Sequence, residues 1–114
     1  MIWKLKYLPE ALEDLKNLDG SVRPQVIKGI QKVWQNPLPK AKGGYGEPLG
    51  NKAGNELTGF FKIKFRGIGI RAVYALEEID SVMTVIVISL RADNEVYNSA
   101  QHRRKKYENR EPSQ

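Results

Sequence analysis

At 114 residues the chain is sized for one domain with a single modest core. Hydrophobic residues at 40% and charged residues at 28% exclude a disordered chain, and a formal net charge of +6 favours an anionic partner. The absence of cysteine excludes a disulfide framework, a thiolate metal site and a thiol nucleophile, and one histidine, His102, is too few for a histidine-rich metal centre.

The opening "MIWKLKYLPE" has no long apolar stretch and no small-residue cleavage site, so it does not read as a secretory signal. No apolar run approaches the roughly 20 residues of a membrane span. A cytoplasmic protein with no membrane partner is expected. Trp3, Leu5 and Tyr7 alternate with Lys4 and Lys6, the period-two pattern of a half-buried or edge strand. Pro9 suits a first helical position, with Glu10, Glu13 and Asp14 as charges near the helix's positive end. Leu12, Leu15 and Leu18 form its apolar stripe, and Asp19-Gly20 ends it.

Ser21 is the expected cap of a second helix. Val22, Val26, Ile27, Ile30, Val33 and Trp34 fall on one face of it, and Asn36-Pro37 stops it. The short connection folds the two helices into a hairpin. Residues 37–55 are rich in Gly, Pro and Lys and read as a loop. Leu57 to Phe65 then reads as a strand, "RGIG" (66–69) as a turn, and Ile70 to Leu76 as the returning strand. "EEIDS" (77–81) is a second turn. "VMTVIVISL" (Val82–Leu90) is β-branched and almost wholly apolar, so it is expected in the middle of the sheet, buried on both faces. A helix is expected from Asp93 onward.

The order β-α-α-β-β-β followed by a C-terminal helix predicts an α+β fold. Its small, twisted, mainly antiparallel sheet carries the helical hairpin on one face and leaves the other partly open. Residues 1–102 are expected to form the domain and residues 103–114 a basic, polar tail.

Chemistry is expected on the open face. Phe61, Ile63 and Phe65 point to one side of their strand, so Lys62 and Lys64 point to the other. Arg71, on the returning strand, can face the same way. Arg91 lies at the end of the last strand, with Tyr97 six residues beyond. From Leu57 to Leu76 there is no Asp or Glu, so these cations have no local partner. Like charges across a strand pair cost stability, and a cluster of them is better kept if an anion such as a phosphate backbone comes to it. Arg66, at the turn, is assigned to phosphate contact. "HRRKKY" reads equally as a nucleic-acid contact through Arg103 and Arg104 or as a solvated helix end.

Three segments together, "LTGFFKIKFRGIGIRAVYAL" (57–76), "VIVISLR" (85–91) and "NEVYNSA" (94–100), are similar to toxins of the RelE branch of the RelE/ParE superfamily. "LPEALEDLKNLDGSVRPQVIKGIQKVWQNP" resembles their helical hairpin, so the likeness spans roughly residues 3–100. The resemblance implies the toxin of a type II toxin–antitoxin system, an mRNA interferase that inhibits translation by cutting mRNA in the ribosomal A site. Its implied partners are a cognate antitoxin, the 70S ribosome and mRNA. Lys62, Lys64, Arg71, Arg91 and Tyr97 match the branch's catalytic positions. The Glu and C-terminal His of related branches are not carried over.

The implied reaction is metal-independent and needs no cofactor. An RNA 2′-OH attacks the adjacent phosphate to give a 2′,3′-cyclic phosphate. A lysine crowded by cations can release its proton and act as the base, so Lys62 or Lys64 takes that role and the other holds phosphate. Arg71 and Arg91 stabilise charge, and Tyr97 stacks on a base or orients the nucleotide. The alternatives are a ParE-like inhibitor of DNA gyrase without ribonuclease activity and a non-catalytic RNA-binding module.

Overall fold

A computed structural model describes residues 3–52, 55–90 and 93–110. The alternation at the start of the chain forms β1 (Lys4–Tyr7), and Pro9 opens α1 (Pro9–Lys16). A turn leads into α2 (Arg23–Trp34). The expected Ser21 cap does not form: Val22 precedes the helix, and the Ser21 N–H donates to the Asp19 carboxylate at 3.1 Å. Arg23 closes the hairpin instead. Its guanidinium donates to the carbonyls of Leu15, Lys16 and Leu18, capping the exposed end of α1.

Residues 37–55 are not all loop. A compact segment with a short 3-10 turn at Lys40–Lys42 leads into β2 (Glu47–Lys52), which pairs antiparallel with β3 (Asn55–Phe65). Glycine and proline hid this strand. Pro48 is tolerated because β2 is an edge strand, and the register shifts between Pro48 and Gly50. β4 (Ile70–Glu77), β5 (Val82–Ser89) and α3 (Asp93–Arg110) complete the fold. Strand order is β1-β5-β4-β3-β2, with β1 parallel to β5 and all other pairs antiparallel. The fold is α+β, as expected, with five strands rather than four.

β5 lies inside the sheet, and Val85, Ile86, Val87 and Ile88 are all buried in succession, so both of its faces are covered. On one face, Phe61 stacks on Tyr74 at 5.2 Å, and α2 lies so close that a side chain at Gly29 would collide with Phe65. The opposite face is less open than expected. Phe60 points to it, 2% exposed, with the Arg104 guanidinium 4.8 Å above its ring. Val96, Tyr97 and Ala100 bury α3 against β3, β4 and β5. α3 runs unbroken past residue 102, so the helix continues from Asp93 to Arg110.

Candidate functional site

The β3–β4 ladder decides which cations meet. Lys64 lies directly opposite Arg71, and Arg71 in turn lies opposite Ser89. Residues directly opposite share a face, with Cβ atoms about 4.5–5.5 Å apart. Lys62, two residues before Lys64, falls on that face too, opposite Val73. Lys62, Lys64 and Arg71 are thus brought together on the face that α3 covers only in part. The Phe61, Ile63 and Phe65 side fixes this aim by packing against the hairpin side of the core.

Arg66 is exposed in the turn that joins β3 to β4. Gly67 and Gly69 take positive φ values of 86° and 70°, which lets the chain reverse there without a side-chain clash. A cleft of about 500 Å³ opens at this end, lined by Lys64, Arg66, Gly67, Gly69 and Arg71 among others. The cleft therefore carries three cations at its wall.

A neighbouring cleft of about 310 Å³ lies at the outer edge of β3, and Lys62, Lys64 and Arg66 line it as well. It also contains Glu47, which corrects the expectation that these cations have no local carboxylate. Glu47 begins β2 directly opposite Lys62. Its carboxylate pairs with Lys40 at 2.8 Å. That hydrogen bond is the main force holding the Glu47 carboxyl below its ordinary range, with smaller contributions from the charges of Lys40, Lys62 and Lys64. The sequence reading missed Glu47 because it is distant in the chain from "KIK"; a strand assigned to "GEPLGNK" would have placed it.

Other expected site residues stand differently. Arg91 lies outside the described residues. Tyr97 is 5% exposed, so its ring offers no open face for a nucleobase to stack on here. Arg103 donates to the Asp14 carboxylate and to the Ile86 carbonyl, both at 2.8 Å. Arg104 packs on Phe60 and donates to the Thr58 carbonyl at 3.1 Å. Both serve the fold, because the sheet edge and the buried ring give their guanidinium groups nearer partners than solvent. His102 is exposed on α3.

Among the described residues no group of three or more His, Asp or Glu side chains is placed to hold a metal ion. No described helix is long and apolar enough to cross a membrane.

No family model matches the chain. It is 30% identical over 103 residues to the mRNA interferase toxin RelE of Escherichia coli strain K12, spanning 88% of this chain and 95% of that protein. It is 29% identical over 107 residues to a RelE-like toxin protein of Escherichia coli, spanning 90% and 98% respectively. Among solved structures, a double-mutant form of the E. coli toxin in its free state superposes with a TM-score of 0.70 at 28% identity, covering 90% of this chain and 98% of that one. The toxin of the intact E. coli RelBE toxin–antitoxin complex superposes with a TM-score of 0.62 at 27% identity, covering 79% and 98%.

Proposed function

This chain belongs to the RelE toxin family and is a toxin of the type II toxin–antitoxin kind, and we propose that it cuts mRNA in the ribosomal A site. The observation that carries the reading is the Lys64–Arg71 cross-strand pair, with Lys62 beside it, facing a cleft. Two cations fixed opposite each other can hold one phosphodiester while its charge rises in the transition state.

The reaction is an internal transfer. The 2′-oxygen forms a bond to phosphorus as the bond to the 5′-oxygen breaks, leaving a 2′,3′-cyclic phosphate and a free 5′-hydroxyl. One of Lys62 and Lys64 takes the 2′ proton, and the other holds a non-bridging oxygen. Arg71 neutralises the charge that develops on the phosphate, and Arg91 is assigned the same task. An arginine barely gives up its proton, so water or a ribosomal group supplies the proton for the leaving oxygen. The ribosome fixes the mRNA in position, which lowers the barrier without further groups from the protein. A cognate antitoxin is the proposed partner; the similar E. coli toxin has been seen in a complex of that kind.

Primer extension on ribosome-bound mRNA tests the reading. Codon-phased cuts are expected. Inhibition of gyrase without cuts would favour the ParE-like alternative, and neither effect would favour a binding module. A single 2′-deoxy substitution at the cut nucleotide should abolish cleavage, and cutting that persists would sink the internal-transfer scheme. Lys64→Ala and Arg71→Ala should each lower the cleavage rate about a hundredfold or more while leaving the protein folded.

A further inference from the structure

We propose that Tyr45 is a stacking platform for a nucleobase of single-stranded RNA, adjoining the catalytic lysines through the cleft at the edge of β3. The proposal rests on the ribonuclease reading for the identity of the ligand and deepens it by naming a further contact.

Four observations carry it. Tyr45 is 46% exposed and, among the side chains described, is the only Phe, Tyr or Trp in an exposed position. It lines the same cleft as Lys62, Lys64 and Arg66, so the cleft is continuous with the phosphate-binding cations. The Lys32 ammonium lies over one face of the ring, 5.4 Å from its centroid, which orients the ring and puts a cation on that face, so a base would stack on the other. Finally, Tyr45 is carried on rigid backbone. Its N–H donates to the Asn36 carbonyl at 2.9 Å, and the Gly46 N–H donates to the Leu38 carbonyl at 2.9 Å. Each flanking glycine is packed too closely for a side chain: a Cβ at Gly44 would strike the Leu38 carbonyl, and one at Gly46 would lie 2.7 Å from the Tyr74 hydroxyl oxygen.

An exposed ring on fixed backbone, in a groove walled by lysine and arginine, is the combination that binds single strands: cations follow the phosphates and the ring takes a base. The only carboxylate lining that cleft among the described residues, Glu47, is already paired with Lys40, so the remaining cations are left to the RNA. The burial of Tyr97 leaves stacking without a ring at the place where the sequence suggested one. Tyr45 supplies it from the other side of β3.

The test is binding of a short, fully 2′-O-methylated single-stranded RNA, which cannot be cut, to the full-length protein, followed by fluorescence anisotropy. Tyr45→Leu should weaken binding roughly tenfold, and Tyr45→Phe should stay within about twofold of the parent protein. On programmed ribosomes Tyr45→Leu should raise KM and change codon preference while kcat holds. Unchanged RNA affinity in Tyr45→Leu, or no RNA binding by the parent protein, would overturn the proposal. So would a loss confined to antitoxin binding, which would make the ring a protein contact. If the parent protein binds RNA through Tyr45 but cuts no mRNA, the ribonuclease reading fails and this one stands.

Discussion

The Tyr74 hydroxyl joins two distant parts of the chain by donating to the Pro37 carbonyl at 2.8 Å in a buried setting. Its ring stacks on Phe61, and its oxygen sits against Gly46, so it props the segment that carries Tyr45 and Glu47. Tyr74→Phe would leave the Pro37 carbonyl without its partner and should cost about 1–3 kcal/mol, measurable by urea denaturation. Burial, with a smaller push from the Glu47 charge, holds the phenol well above its ordinary value of 10.0. Its contribution to stability is therefore complete below about pH 10 and declines as the unfolded chain ionises above that. Glu47 has the opposite sign. Its lowered carboxyl contributes above its ordinary value of 4.5 and loses that contribution as the pH falls. Lys40→Ala removes the main cause, so the Glu47 carboxyl should titrate at higher pH, read by NMR.

Among the elements, β5 outruns its neighbour. β1 pairs only with Val82 to Val85, so the edge of β5 beyond that point needs other partners. α1 and α3 supply them. Asp14 accepts from the Ile88 N–H at 3.0 Å, and Arg103 donates both to Asp14 and to the Ile86 carbonyl. A second pair, Lys106 with Glu10 at 2.8 Å, lies further along the same two helices. The Asp14–Arg103 pair is about four-fifths buried, and either partner alone would leave a charge without compensation. Asp14→Ala should therefore destabilise the protein by about 2–3 kcal/mol and speed amide exchange at Ile88. A double substitution with Arg103→Ala should cost clearly less than the sum of the two singles. Thermal melts of the four proteins check this.

The whole molecule separates two tasks by sheet face. The helical hairpin builds the core on one face, and α3 closes part of the other, leaving Lys62, Lys64, Arg66 and Arg71 at the end it does not reach. With one of the two lysines serving as the neutral base, three phosphate contacts imply a fall of roughly twentyfold in single-strand affinity between 50 mM and 200 mM salt. Arg103→Ala should leave that salt slope unchanged, because Arg103 is already spent on Asp14 and the β5 edge. A slope reduced by the substitution would return Arg103 to the RNA surface.

The aim of Lys62 and Lys64 was legible because period two is local: three apolar residues on one side leave no choice for the two lysines between them. The apolar run of β5 likewise announced a strand covered on both faces. By itself, then, the sequence determined the elements with clear periodicity, the α+β class, and the outward cations. Tertiary structure decided the partners. β2 had no periodicity to read, and only its pairing with β3 brought Glu47 opposite Lys62. Nor does spacing tell which backbone groups a short β1 leaves unpaired, and one of those groups, the Ile86 carbonyl, gives Arg103 a partner on the β5 edge. Burial followed the same logic: the docking of α3 withdrew Tyr97, and a loop with tightly packed glycines put Tyr45 on the surface instead. Periodicity is a property of neighbours along the chain, whereas hydrogen-bond satisfaction and exposure depend on segments that only the fold brings together.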